Sequence, residues 1–466
     1  MLVSDLRAYE SEFRRLLRGL EGRTSFGEVF AEQREGENVT VDSKSVSAST
    51  SPRLSGFVVR AWTGTRWVEA AASAFDAPAL STAAEEIGRG LAHGDPHLPP
   101  PGPSATTVGS HDARPARPMR DVGMERMLAF TREVFQWSIS SPGIQETQAV
   151  TTWSDDERFY LNTAGAQCFQ RVSRVRGGVV PIAIENGRTQ INFFDSGGIG
   201  GQEILDSITE TAVRKAAERA RELLSAKAPP TGAMNVILDP GVTATFAHES
   251  FGHGTEADQF VRQRSYLQPL LGQQVGPEFL SIVDDGSIPG GWGSVFFDDE
   301  GHPGQRTTLI DHGRFVGALH DRESAALLGA APTGNTRRSD FLSRAFVRMT
   351  NTLVVPGDWS VDELVQEARD GVLLERWTSG MEDPAGGQMQ LKVLYGHRIE
   401  NGKLTDLVSS MALSGTVLGF LKDIRGTGPP SDFGITVGMC GKGHGDYLFV
   451  GDGGSYLLSR ALVGPA

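Results

Sequence analysis

Hydrophobic and polar positions follow two periods along this chain, and each change of period marks an element. From 5 to 20, Leu6, Tyr9, Phe13, Leu16, Leu17 and Leu20 recur at three-to-four spacing, which predicts an amphipathic helix. Over 28–49 and 54–62 the period falls to two around short turns, the pattern of an antiparallel sheet. A second helix is predicted over 79–91. The stretch 93–118, HGDPHLPPPGPSATTVGSHDARPARP, is so rich in Pro, Gly and Ser that it reads as a linker or loop. A helix, several strands and a long helix over 201–227 follow, and from 231 strands dominate, apart from a helix after Asp239 and others over 321–328 and 361–369. SGGIGG at 196–201 superficially suggests a dinucleotide fingerprint, but its spacing is not G-x-G-x-x-G, so it is expected to be a turn into the long helix. The fold class is therefore α+β. Four regions are expected: an N-terminal α+β domain over 1–92, the linker or loop over 93–118, a central α+β region over 119–230 and a β-rich C-terminal domain over 231–466.

The chemistry concentrates in HESFGHG at 248–254, where two imidazoles flank a carboxylate as H-E-x-x-x-H. An ideal helix turns about 100° per residue, so His253 would lie roughly 140° from His248, too far to share an ion. A π-type turn of about 4.4 residues would bring the two rings within roughly 50°. Gly252 is the expected place for that distortion, because a residue without Cβ tolerates non-helical angles. Catalytic zinc normally takes three protein ligands, and the third is open on spacing alone: Cys440, Glu256, Asp258 and His444 all qualify. Arg337 and Arg338 form a basic pair of the kind usually found solvated at the surface.

Composition narrows the classes. The 466 residues exceed one ordinary core, so more than one domain is expected. No apolar run reaches the roughly 20 residues of a membrane span, and the first 22 residues are charged throughout rather than leader-like, so a cytoplasmic protein without membrane contact is expected. Two cysteines, far apart, suit a reducing compartment; Cys168 sits in a strand-like stretch and is expected to pack there. The net charge of -13 argues against a general nucleic-acid grip, which relies on Lys and Arg.

HESFGHGTEAD at 248–258 resembles the signature of the TldD/PmbA metalloprotease family, whose members were once described as modulators of DNA gyrase. The stretch at 284–329 with its DDEG core, the block at 332–358 with PTGN and MTNT, IENGKLTDLV at 399–408 and GMCGKG at 438–443 are similar to further family blocks, in the same order. The tail from His444 onward departs from the pattern. The resemblance implies a catalytic, TldD-type member with a C-terminal metalloprotease domain and one Zn2+ per chain held by His248, His253 and Cys440; Glu249, beside His248 in the run, is then expected to be the general base. Glu256 and Asp258 are then expected to orient the histidines, and His444 or Tyr447 to stabilise the oxyanion or bind substrate. The resemblance further implies short or unfolded peptides as substrates and a dimer, either with a second copy or with a metal-free PmbA/TldE-like subunit. Two alternatives stay open: an amide hydrolase acting on a small peptide-like conjugate, and a non-catalytic metal-binding partner.

Overall fold

The computed structural model describes residues 5–51, 53–113, 115–442 and 446–466. Its first half is built on a nine-stranded sheet whose main path runs Trp67–Ala72, Leu54–Trp62, Gly27–Asp42, Ile144–Asn162, Gln167–Glu185 and Val108–Ala113. All of these neighbours are antiparallel except the last pair. Strands from the 1–92 and 119–230 regions thus share one sheet, and the stretch expected as a linker contributes its edge strand Val108–Ala113.

Alternation along these strands gives the sheet two different faces. On one, Val29, Ala31, Phe57, Val59, Phe159 and Phe169 pack under the helices Glu10–Arg18 and Ala77–Gly90, with Phe13, Leu16 and Leu17 from the predicted first helix. The other face meets the C-terminal half and is charged: Arg60 pairs with Glu28 and with Glu300 (3.1 Å), and Arg158 with Asp299 (2.8 Å). Cys168 is buried on that face among Phe30, Val58, Tyr160 and Phe297. Two expectations fail nearby. The helix predicted over 201–227 is broken into Gln202–Leu205 and Glu210–Glu222, because Thr209 caps a new start by accepting from the Ala212 N–H. Most of SGGIGG is not a turn: Phe194–Ile199 is a strand, and its register places Gly197 opposite Arg176 and Gly198 opposite Val175.

The second half is strand-rich. Gly232–Leu238, Gly371–Glu382, Gln388–Glu400, Met411–Thr416 and Leu457–Pro465 pair in succession, and the first pairs again with the last, closing a five-stranded barrel. Val236, Leu238, Val372, Leu374, Leu391 and Leu413 belong to the same core as Phe246, Ala247 and Phe251, so barrel and motif helix are packed as one body. Each such fully buried large apolar side chain contributes about 1.5–3 kcal/mol. A further sheet sets Arg306–Asp311, Ile282–Asp285, Asn351–Val354 and Asp446–Gly454 side by side, and Gly438–Lys442 folds onto Asp446–Gly454 as a hairpin.

Candidate metal centre

Asp239 starts the motif helix. Its side chain accepts from the Val242 N–H at 2.7 Å, and Pro240 follows at the first helical position, where its missing N–H is no loss. After one α-helical stretch, Pro240–Thr245, the chain widens into a π-helix over Phe246–Gly252, and the His253 N–H reaches the His248 carbonyl five residues back. That turn brings the two histidines onto one side, with ring centroids 4.9 Å apart and planes at 83°. Gly252 serves the turn differently from the expectation. Its angles are ordinary helical ones (φ −58°, ψ −47°), but a Cβ there would lie 2.1 Å from Met349 Sδ. The glycine serves the close approach of the Met349 side chain, not an unusual backbone.

Cys440, from the hairpin, meets the pair. Its Sγ is 3.3 Å from His253 Nε2, and one ligand atom each from His248, His253 and Cys440 lie within 4.8 Å of one another. A tetrahedral zinc with bonds of 2.0–2.3 Å separates its ligand atoms by about 3.4–3.8 Å, so the set fits after a small contraction. Each imidazole also has a carboxylate on its other nitrogen. His248 Nδ1 is 2.8 Å from Asp452 and His253 Nδ1 is 3.5 Å from Glu256, an arrangement that fixes ring orientation and leaves Nε2 for an ion.

Electrostatics favour the ligating forms of the cysteine. Burial would raise the Cys440 thiol, yet His248 and His253 overcome it and bring the group down to about 4, making it a thiolate at neutral pH. Burial likewise opposes charge on both imidazoles, but Asp452 and Cys440 hold His248 well above its usual range, and Glu256 and Cys440 raise His253 to about 10. Glu256 is itself buried, yet Lys442 and His253 draw it down to about 2. Glu249 stands beside the set, 3.8 Å from His253 Nε2, with its side chain one-third exposed and its affinity for a proton increased by burial. Gly380 makes room for it, since a Cβ there would come within 2.8 Å of Glu249 Cβ and Cγ.

Of the expected orienting groups, Glu256 touches a histidine, whereas Asp258 instead accepts from Lys442 Nζ at 2.9 Å. Lys442 also donates to Glu256 (2.9 Å) and to the Val347 carbonyl (3.0 Å), tying the cysteine strand to the motif segment. Tyr447 is misplaced for oxyanion chemistry. It pairs with Gly441, one position from the Cys440–Leu448 pair, so its side chain leaves the opposite face of the hairpin and is 59% exposed. His444 lies outside the described residues. Arg337 and Arg338 are buried, not solvated. Asp452, Lys442 and Gly380 were not foreseen; the glycines around Asp452 are the only sequence signal of a close approach there.

The C-terminal and central domain models of the PmbA/TldA metallopeptidases match residues 231–458 and 118–224. A metalloprotease of Methanothermobacter thermautotrophicus is 32% identical over 455 residues, covering 96% of this chain and 97% of the relative. A Methanocaldococcus jannaschii metalloprotease is 36% identical over 307 residues, 66% of this chain and 67% of that one. The crystal structure of TldE from Thermococcus kodakarensis shares the fold with a TM-score of 0.73 at 16% identity, over 97% of this chain and 99% of the other. On the length and identity of these matches, the chain belongs to the TldD/PmbA metallopeptidase family.

Proposed function

We propose that this protein is a zinc-dependent peptidase for short or unfolded peptides, in which His248, His253 and Cys440 hold one ion and Glu249 is the general base. The observation that carries this reading is the convergence of two carboxylate-backed imidazoles and a thiolate from distant parts of the chain, with a free carboxylate beside them. Two nitrogens and a soft sulfur favour zinc over magnesium or calcium. When bound, zinc supplies Lewis-acid chemistry to a water and to the scissile carbonyl. Glu249 takes the proton of the attacking water and passes it to the departing amine; its burial suits it to hold that proton between the two transfers. Asp452 and Glu256 keep the imidazoles in one tautomer and one orientation. Gly380 leaves the space that Glu249 occupies.

An extended peptide can add to a sheet edge through its main chain, which a folded protein cannot present. The likeness to a structure named TldE supports a second subunit of the same fold, either a copy of this chain or a metal-free relative. Metal analysis of the purified chain should give about one zinc per chain. Incubation with an unstructured peptide and with a stable folded protein, across a dilution series, should show cleavage of the peptide alone and activity that falls with protomer concentration. Equal cleavage of both substrates would remove the peptide preference, and dilution-independent activity of a demonstrated monomer would remove the second subunit.

A further inference from the structure

The charged face of the nine-stranded sheet contains a place where charge does not balance. Glu32 and Arg34, Asp156 and Arg158, and Gln170, Val172 and Arg174 stand at alternate positions of three neighbouring strands. Their register sets Arg34 opposite Asp156 and Asp156 opposite Val172, so all project from one side. Arg337 from the C-terminal half, with Val295 and Leu448 and Phe449 of the cysteine hairpin, closes a cavity of about 30 Å3 over them. That is room for about two water-sized groups. Met439 and Tyr447, 54% and 59% exposed, also line it.

Arg34 pairs with Glu32 and Asp156, and Arg158 with Asp156 and Asp299. Arg174 and Arg337, only 4% and 3% exposed, have no carboxylate within ion-pair distance among the described residues. Arg174 donates to the carbonyls of Trp292 (2.9 Å) and Ser294 (3.1 Å), and Arg337 to that of Met349 (2.8 Å). The Nε atoms of Arg34 and Arg337 are buried without a hydrogen-bond partner, as are one oxygen each of Asp156 and Glu32. Burial, together with neighbouring guanidiniums and against the attraction of Asp156, lowers Arg174 to about 9, and burial with Arg158 and Arg348 outweighs Asp299 and Asp284 to lower Arg337 to about 10. A buried cation without a counter-charge is destabilising, and the planar fork of arginine matches a carboxylate in shape and charge.

We propose that this cavity is an anion site that takes one carboxylate group, supplied by a free small acid or by the chain end of a peptide. Met439, Tyr447 and Phe449 line it from the hairpin face that Cys440 does not share, Leu448, the partner of Cys440, lines it as well, and none of His248, Glu249, His253 and Cys440 does. The site is therefore separate from the metal centre and does not depend on the peptidase reading. Calorimetric titration of the zinc-loaded protein with acetate, with an N-acetylated dipeptide as its free acid, and with the same dipeptide as its amide tests both the site and its source. The expected result is binding of acetate and the free acid, at least 10-fold weaker binding of the amide, and loss of acetate binding in Arg174→Met; that loss distinguishes this site from carboxylate bound at the metal. A free acid 10-fold tighter than acetate assigns the peptide chain end, and equal affinity assigns the small acid. Acid and amide binding alike, no acetate binding, or acetate binding unchanged in a folded Arg174→Met protein would each overturn the proposal. Should that variant not fold, bromide soaked into wild-type crystals decides the matter: an anomalous scatterer between Arg174 and Arg337 supports the site, and its absence there overturns it.

Discussion

The helix that carries His248 and His253 and the hairpin that carries Cys440 hold their side chains by different physics. The helix is fixed by packing: Phe246 and Phe251 are fully buried, Phe246 against Phe420 and Phe251 against Phe315, and Gly252 lies so close to Met349 that a Cβ would force the methionine side chain to move. The hairpin has one exposed face and is fixed by charge and hydrogen bonds. Arg348 donates to the Cys440 carbonyl, and Lys442 binds Glu256, Asp258 and the Val347 carbonyl. Packing fixes the backbone that carries the histidines, Asp452 and Glu256 orient their rings, and polar contacts bring the sulfur to them. Damage to the helix should therefore appear as lost stability, and damage to the hairpin as lost metal.

The largest expected effect tests whether chemistry can be separated from both supports. Glu249→Gln keeps the shape and removes the base, so turnover should fall by roughly two to four orders of magnitude while zinc content stays near wild type. Loss of zinc from that variant would make Glu249 a ligand. Next is the hairpin. Cys440→Ser removes the thiolate, and zinc affinity measured by competition with a chelator should fall by more than the roughly 10- to 100-fold typical of an outer partner. Unchanged occupancy would transfer the third position to another group. Lys442→Met and Asp452→Asn should each weaken zinc within that 10- to 100-fold range, with Lys442→Arg recovering part of it.

On the packing side, Gly252→Ala should destabilise the fold by about 1–3 kcal/mol in denaturant unfolding, the usual effect of overpacking. If it instead weakens zinc at unchanged stability, the contrast between helix and hairpin is wrong. The smallest effect is spectroscopic. In metal-free protein the Cys440 thiol should ionise near pH 4, against about 9 for a free thiol, visible as thiolate absorbance persisting into acid. Because the folded value is depressed, the stability from this group is complete only above the unfolded value and is lost progressively as pH falls towards about 4. A thiolate signal that disappears near pH 8 would show that the imidazoles do not hold the sulfur.

How far these features could be read in the sequence follows the same division. Local periodicity carried the first helix, the long strands and the need for a π turn between histidines five apart, because each depends on neighbouring residues alone. Gly252 was legible as special, but its reason was not, since Met349 is distant in the chain. Asp452 stands 204 residues from His248, and nothing in either stretch encodes their 2.8 Å contact. The charged sheet face was unreadable for another reason: strands alternating Glu and Arg with apolar residues look half-solvated, yet here the polar half is covered by a second charged surface. Arg337 and Arg338, buried where a basic pair is usually solvated, show the same thing.

Closure of the barrel has a consequence for when activity can arise. The ring is completed only when Leu457–Pro465 docks against Gly232–Leu238, and Cys440 must cross 187 positions to reach His253. Contacts of such separation form late, after the loop-closure entropy has been met. During synthesis His248 and His253 emerge long before Cys440, so a growing chain carries the three candidate ligands as an incomplete set. Zinc uptake in pulse-labelled protein should therefore report completion of the barrel and not the earlier appearance of the helix.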